Sequence, residues 1–443
     1  MDKNNWQTKW PERISYGLSD AADNLVFQVM TTYLLYFYTD VYGLNSGAVA
    51  VLFVVARIAD VVGSIVVGIM IDNTHSRFGK SRPFFLWYAV PYVVFAILTF
   101  ATPNFSQDGK LIWAYITYLG LGFFYTAVNS PITSVLPTMT QNSREITLLG
   151  VVRQLGGSTG QIIVSVFTIP LVALFGNGNE KIGFLWTIVL FGIISLILIL
   201  NTFFQIRERF TVKEIAHQPF TKVLGMLRKN TPWIVLSVVI LLFWLVTGIK
   251  NQTTIYYFKY VWNNADLVPW ASSFTFSSLI GVMMIIKLTV KHDKKNVMMF
   301  GMITALIGQF ILAGGVYFTN LIVIFGGILI NSVGNGIIVG LVSIMIADTI
   351  RYGVALGIQA EGVLSSANIL GVNLGLGLSG LITAGLFDLA GYVPNGKQNI
   401  ETLKMINMNY VWIPLIIYLL MIIILHFYNE GKLLKVIDSN GQN

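Results

Sequence analysis

Apolar stretches of about 20 residues, the length that crosses roughly 30 Å of hydrocarbon at 1.5 Å per residue, recur along nearly the whole chain. They lie near residues 14–42, 46–71, 83–102, 110–138, 145–175, 182–206, 232–260, 268–290, 296–318, 321–349, 356–391 and 408–428, twelve in all. Backbone groups facing lipid must be satisfied within their own segment, so each stretch is expected to be a helix; the alternation of a barrel strand is absent. The chain reads as an all-α polytopic membrane protein. Charged residues make up 11% of it, against roughly 25% in a soluble domain.

Basic residues sort by side. Lys3, Lys9 and Arg13 precede the first span, Arg77, Lys80 and Arg82 follow the second, and Arg144 follows the fourth. Arg207, Arg209, Lys213, Lys222, Arg228 and Lys229 follow the sixth, Lys291, Lys294 and Lys295 the eighth, Arg351 the tenth, and Lys432 and Lys435 the last. The positive-inside rule then puts both termini in the cytoplasm and the protein in the cell membrane. The net charge of +8 is explained by this topology and calls for no nucleic-acid partner; a bilayer is the partner it implies. The polar amino terminus lacks an apolar signal core, so the first span is expected to direct insertion.

The longest polar interruption splits six spans from six. The expected organisation is a six-helix bundle at 1–206, a cytoplasmic linker at 207–231, a second bundle at 232–428 and a tail at 429–443. No residue-level repeat links the halves, so this division rests on the span count and the linker. With no cysteine and four scattered histidines, no metal centre is expected, and no resident cofactor; no Walker loop or catalytic dyad suggests an enzyme.

Several polar groups sit where a span should be apolar, and a charge at the bilayer centre costs at least about 2.5–3.5 kcal/mol on insertion scales. Asp20 and Asn24 are four residues apart on one helical face, with Asp23 beside them. They form a hydrogen-bonding stripe for a hydroxyl-rich ligand, or else the two acids pair with basic groups at the cytoplasmic mouth. Arg57, Asp60 and Ser64 share a face of the second span; carboxylate and hydroxyl together suit a hard cation, the carboxylate alone a proton, and Arg57–Asp60 a structural pair. Thr126, Asn129 and Arg153 add polar groups on the fourth and fifth spans, and Asn368 and Asn373 on the eleventh. Arg153 offers a multi-donor fork for hydroxyls or carboxylates; the asparagines suit either a ligand or helix cross-linking. Lys250 finds no partner in the sequence. Gly336 and Gly340, Gly371 and Gly375, and the cluster Gly156, Gly157 and Gly160 suit close helix packing.

The run Ser15-Tyr16-Gly17, then Asp20, Asn24 and the segment from Tyr33 to Leu44, resembles the first helix of the glycoside-pentoside-hexuronide:cation symporters. The similarity continues through Ala56-Arg57-Ile58-Ala59-Asp60, the loop Asp72 to Pro83, Asn129-Ser130-Pro131, Ala347-Asp348-Thr349 and Gln359-Ala360-Glu361-Gly362. The resemblance implies a twelve-helix major-facilitator fold and alternating-access import of a sugar or glycoside, coupled to sodium or protons. It makes Asp60 the principal cation-site carboxylate, joined by Ser64 and Asn129. Where the melibiose-permease pattern has a second helix-two Asp, acids on helices one and four and a lysine on helix eleven, this chain has Ser64, Asn24, Asn129 and Asn373. The sugar-orienting residues implied are Asp20, Asn24, Thr126, Asn129, Arg153, Asn368 and Asn373, with Tyr125 stacking on the sugar. Asp72, Arg77, Lys80 and Arg82 would latch a cytoplasmic gate through acids such as Asp348 or Glu361. Neutral groups in place of several charges leave an uncoupled facilitator, or a sugar sensor, as the alternative.

Overall fold

The structure, a computed structural model, describes residues 6–210, 230–355 and 361–431. Every element in that set is helical. Ten helices are long and apolar enough to cross a membrane. Two more segments fill the expected places of the first and third spans. The first, α1 (Trp10–Tyr36), carries Glu12, Arg13, Asp20 and Asp23. The third is broken at Tyr88 into α3 (Arg82–Trp87) and α4 (Ala89–Thr99).

Between these lies α2 (Ser46–Asp72), and α5 (Gln107–Ser134), the short α6 (Leu136–Met139), α7 (Ser143–Gly176) and α8 (Glu180–Gln205) follow. After residue 230 come α9 (Thr231–Tyr256), α10 (Leu267–Phe274), α11 (Ser278–Leu288), α12 (Lys294–Tyr317), α13 (Leu321–Ala355), α14 (Glu361–Leu389), α15 (Ile400–Asn407) and α16 (Ile413–His426). Local chemistry sets several ends. Pro11 opens α1, where Glu12 accepts the Lys9 backbone N–H at 2.8 Å. Asn45 caps α2 by accepting from the N–H groups of Gly47 and Ala48. The twelfth span is longer than hydropathy suggests, beginning at Ile400 rather than near 408.

The chain forms two compact units, Met1–Glu214 with Val393–Gly396, and Ile215–Tyr392 with Lys397–Asn443. Of the expected linker, residues 211–229 lie outside the described residues, as does the tail from 432 onward. Glu208 ties the first linker residues to the N-terminal unit, accepting backbone N–H bonds from Lys80, Ser81 and Arg82 at 3.0, 2.8 and 2.7 Å. Gly79 makes this approach feasible: its φ is +109° and a Cβ there would strike the Glu208 carboxyl.

Backbone geometry exposes a repeat that the residues conceal. Both α1 and α9, the first long helix of each unit, end in a five-residue π segment, Phe37–Val41 and Tyr257–Val261. The closing bonds match: Tyr42 N–H to Phe37 C=O and Leu44 N–H to Tyr38 C=O in one, Trp262 to Tyr257 and Asn264 to Phe258 in the other. The partner helices match too. A Cβ on Gly160 of α7 would stand 2.6 Å from the Ala21 carbonyl oxygen, and one on Gly375 of α14 would stand 2.6 Å from that of Leu241. Counted from the π segments, Ala21 and Leu241 are equivalent positions. In both units a small residue therefore lets two long helices meet backbone to backbone, the packing expected of these glycines.

Candidate functional site

The polar residues of α1 meet α7 across that glycine contact. Arg153 Nε donates to Asp20 Oδ1 at 2.9 Å, and Arg153 Nη1 to the Thr133 hydroxyl at 3.0 Å. Asn24 Nδ2 donates to the Asp20 backbone carbonyl at 2.8 Å and approaches Asp20 Oδ2 at 3.4 Å. Its Oδ1 accepts from Gln161 Nε2 at 3.0 Å. Gly157 makes room for the cluster, since a Cβ there would overlap Asp20 Oδ2. The ion pair is only partly sealed, with the Arg153 side chain 27% exposed and Asp20 14%. Both charges are neutralised, yet donors and acceptors stay open to a ligand. Of the two readings of the α1 acids, Asp20 does pair with a base, but with Arg153 of the fifth span rather than a loop residue.

Asp23 lies one turn on and is differently housed. It is 1% exposed. Asn129 Nδ2 donates to Asp23 Oδ2 at 2.6 Å, the Tyr92 hydroxyl donates to the Asp23 backbone carbonyl at 3.1 Å, and Asp23 Oδ1 has no hydrogen-bond partner. Tyr125 stacks on Phe27 with centroids 4.7 Å apart.

The second-span group assembles otherwise than its spacing suggests. Asp60 pairs with Arg57 at 3.1 Å, and Arg57 also donates to the Tyr118 hydroxyl at 2.8 Å. The exposed Ser64 hydroxyl donates to the backbone carbonyls of Asp60 and Val61, at 2.7 and 3.0 Å, the usual fate of a helical serine. Asn129 serves Asp23 instead. The Thr126 hydroxyl likewise turns back on its helix, to the Gly122 carbonyl at 2.9 Å. Asp60, Ser64 and Asn129 therefore do not form one oxygen cage in this structure; Arg57, the helix backbone and Asp23 respectively have taken their groups. A Cβ on Gly122 would come within 2.6 Å of Asp60 Oδ1, so the carboxylate lies against the α5 backbone.

Of the expected gate, Asp72 closes α2 and Arg77 lies over the Phe78 ring, 4.7 Å from its centroid. Arg82 Nε donates to the Phe203 carbonyl at 2.6 Å. Asp348 pairs with Lys294, inside its own unit. The side chains of Glu361 and Asn368 lie outside the described residues. Asn373 is half-buried on α14.

Glu145 anchors the start of α7 beside these loops. It is fully buried and accepts from the backbone N–H groups of Gln7 and Thr8, both at 2.9 Å, and from Arg13 at 2.9 Å. Burial works against its charge, but hydrogen bonds from the Thr140 hydroxyl, the Thr8 and Gln7 N–H groups and the Thr8 hydroxyl outweigh it and hold the carboxyl down at about 2.

In the C-terminal unit, Lys250 acquires the partners its sequence does not reveal. Its Nζ donates to Asn331 Oδ1 at 2.7 Å and Gln309 Oε1 at 3.1 Å, and lies 5.8 Å from the Tyr410 ring centroid. The Gln309 amide donates to the carbonyls of Tyr410 and Val411, at 3.0 and 2.8 Å, inside a third π segment, Met408–Trp412.

Sequence reasoning missed Thr133, Gln161, Tyr118 and Tyr92. Gln161 was within reach: Arg153, Gly157 and Gln161 recur at intervals of four, which puts them on one face of α7. Tyr118 and Tyr92 sit among apolar neighbours with no spacing to mark them.

Twelve helical stretches that bring ion pairs and amides together inside apolar bundles define a multi-pass transporter of the major-facilitator class rather than an enzyme. The solved structures agree on the fold: the xylose transporter XylE of E. coli superposes with a TM-score of 0.65 at 14% identity, covering 96% of this chain and 99% of that one. A bacterial homologue of the human lysosomal transporter Spinster gives 0.70 at 12% identity, over 95% and 97% of the two chains. The chain belongs to the MFS/sugar transport protein family, whose model matches residues 15–431. It is 39% identical to the isoprimeverose transporter of Lactiplantibacillus pentosus, over 96% of this chain and 89% of that protein. It is 34% identical to the uncharacterized symporter YnaJ of Bacillus subtilis, over 94% and 91%, and 27% identical to the putative glycoside/cation symporter YagG of Escherichia coli, over 95% and 92%. The resemblance to glycoside-pentoside-hexuronide:cation symporters is borne out, and the chain is a membrane-embedded sugar transport protein.

Proposed function

We propose that this protein imports a glycoside across the cell membrane by alternating access, driven by a sodium or proton gradient, with both termini in the cytoplasm. The observation that carries the reading is the partly open cluster of Asp20, Arg153, Asn24, Gln161 and Thr133 in the N-terminal unit. A carboxylate, a guanidinium and side-chain amides supply both donors and acceptors, which is what hydroxyls that donate and accept require. The Phe27–Tyr125 stack offers a ring face for the apolar side of a sugar. Asn373 adds an amide from α14, and Asn368 belongs to the same proposal. The 39% identity to an isoprimeverose transporter makes isoprimeverose the first substrate to try.

Asp60 is the proposed coupling carboxylate. A cation arriving there competes with Arg57, and its binding frees the guanidinium for Tyr118 alone; Ser64 and Asn129 would turn toward the ion only in that state. The gate role of Asp72, Arg77, Lys80 and Arg82 toward Asp348 or Glu361 belongs to another state of the cycle, in which Asp348 has left Lys294. The satisfied Arg57–Asp60 pair is what favours the second reading, an uncoupled facilitator. Uptake of labelled isoprimeverose into vesicles, with sodium and proton gradients imposed separately and Asp60→Asn in parallel, decides between them. Accumulation lost in the variant supports coupling through Asp60; equilibration indifferent to both gradients and to the variant overturns it.

A further inference from the structure

We infer that Asp23 is a proton-binding site that communicates with the sugar cluster through Arg153, an inference that rests on the coupled reading above. Asp23 differs from the other two acids of the candidate site. Asp20 has Arg153 and Asp60 has Arg57, whereas Asp23 has one neutral donor, Asn129, and an orphaned buried Oδ1.

An ionised carboxylate removed from water needs a cation or several donors to hold its charge. The ionisable groups facing Asp23 provide neither. Asp20, on its own helix, repels a second negative charge. Arg153 from α7 is committed to Asp20 and Thr133. Tyr92 from α4 has spent its single hydroxyl proton on the Asp23 backbone carbonyl. Tyr125 from α5 is stacked on Phe27. The neutral acid suits this site: Oδ2 still accepts from Asn129 while the other oxygen carries the proton.

The chemistry is a simple transfer. A proton from one side of the membrane adds to a carboxylate oxygen and leaves to the other side, with no other bond made or broken. With the proton on, Arg153 has one carboxylate to satisfy and holds Asp20 in the sugar cluster. With it off, two carboxylates on one turn of α1 compete for one guanidinium, and the cluster loses its geometry. Proton and sugar thereby favour the same state, which is the requirement for coupling.

Two measurements test this. In infrared spectra of the purified protein at neutral pH, the C=O stretch of a protonated carboxyl should be present, disappear in Asp23→Asn and shift in Asp23→Glu. In vesicles, Asp23→Asn should exchange isoprimeverose yet fail to accumulate it against a proton gradient. Absence of the band from the wild-type spectrum, or its persistence in Asp23→Asn, overturns the proposal whether or not isoprimeverose is the substrate. Loss of accumulation in Asp60→Asn with normal accumulation in Asp23→Asn overturns it as well, while leaving the coupled function standing.

Discussion

The first long helices of the two units, α1 and α9, are built alike and furnished differently. Counting back from their π segments pairs Asp20 with Ile240, Asp23 with Phe243 and Asn24 with Trp244. At the place where α1 brings its acids to Arg153, α9 brings aliphatic and aromatic side chains to the glycines of α14, and Ile240 and Phe243 belong to a continuous apolar core. The C-terminal unit carries its own interior charge elsewhere, at Lys250, and holds it with neutral amides instead of an opposite charge. A repeated scaffold has thus been made electrostatically asymmetric. Paired charges can open to a ligand and close again without net change, whereas the Lys250 amino group has neutral amide partners and no opposite charge to exchange.

Breaking the paired side should have the larger effect. Arg153→Met leaves Asp20 without its cation and should cost about 3 kcal/mol of stability, the scale for a severed interior ion pair, and abolish sugar transport. The double variant Asp20→Asn with Arg153→Met should regain most of that stability and none of the transport, read by thermal unfolding in detergent beside uptake. If the single variant transports normally, the cluster is scaffolding and the asymmetry has no functional meaning.

Lys250→Met sharpens the other side. It strands the acceptors on Gln309 and Asn331, a loss of about 1–3 kcal/mol for unsatisfied groups, but removes a charge that was itself expensive to bury. The net loss should be smaller than for Arg153→Met, about 1 kcal/mol. A loss equal to or above the Arg153 value, measured in the same unfolding assay, would show that the amide cage is as critical as the ion pair.

A third effect is confined to acid and concerns neither charge but the buried Glu145 at the start of α7. Glu145 has its folded pKa pulled below the ordinary 4.5, to about 2. Its contribution is therefore fully present above about pH 4.5 and is lost as pH falls toward 2. Stability of the wild type should fall through that window more steeply than that of Glu145→Gln; parallel curves would show that the hydrogen bonds from Gln7, Thr8 and Thr140 do not favour the charged form.

Span number and placement were legible because hydropathy in lipid is a nearly complete instruction. Two exceptions have physical causes. The third span breaks at Tyr88, where Pro91 supplies no N–H for the Trp87 carbonyl one turn back, and the first is too polar to pass as a span by composition alone. At the site, spacing identified Asp20, Asn24 and Arg153 as interior polar groups. It could not say that Ser64 would bond its own backbone, or that Asn129 would reach Asp23 rather than Asp60, because periodicity specifies the face of a helix and not which neighbour arrives there. Arg57–Asp60, one of the readings open in the sequence, is the one the structure adopts.

The π segments leave a mark on how this chain can be edited. An extra residue accommodated inside a helix shifts the sequence phase beyond it, since one residue is about 100° of turn. Amphipathic patterns read through Met408–Trp412, which joins α15 to α16, therefore slip by one position on crossing it. A single deletion there would preserve hydropathy, length and composition almost unchanged, and yet re-aim every side chain on one side of the cut.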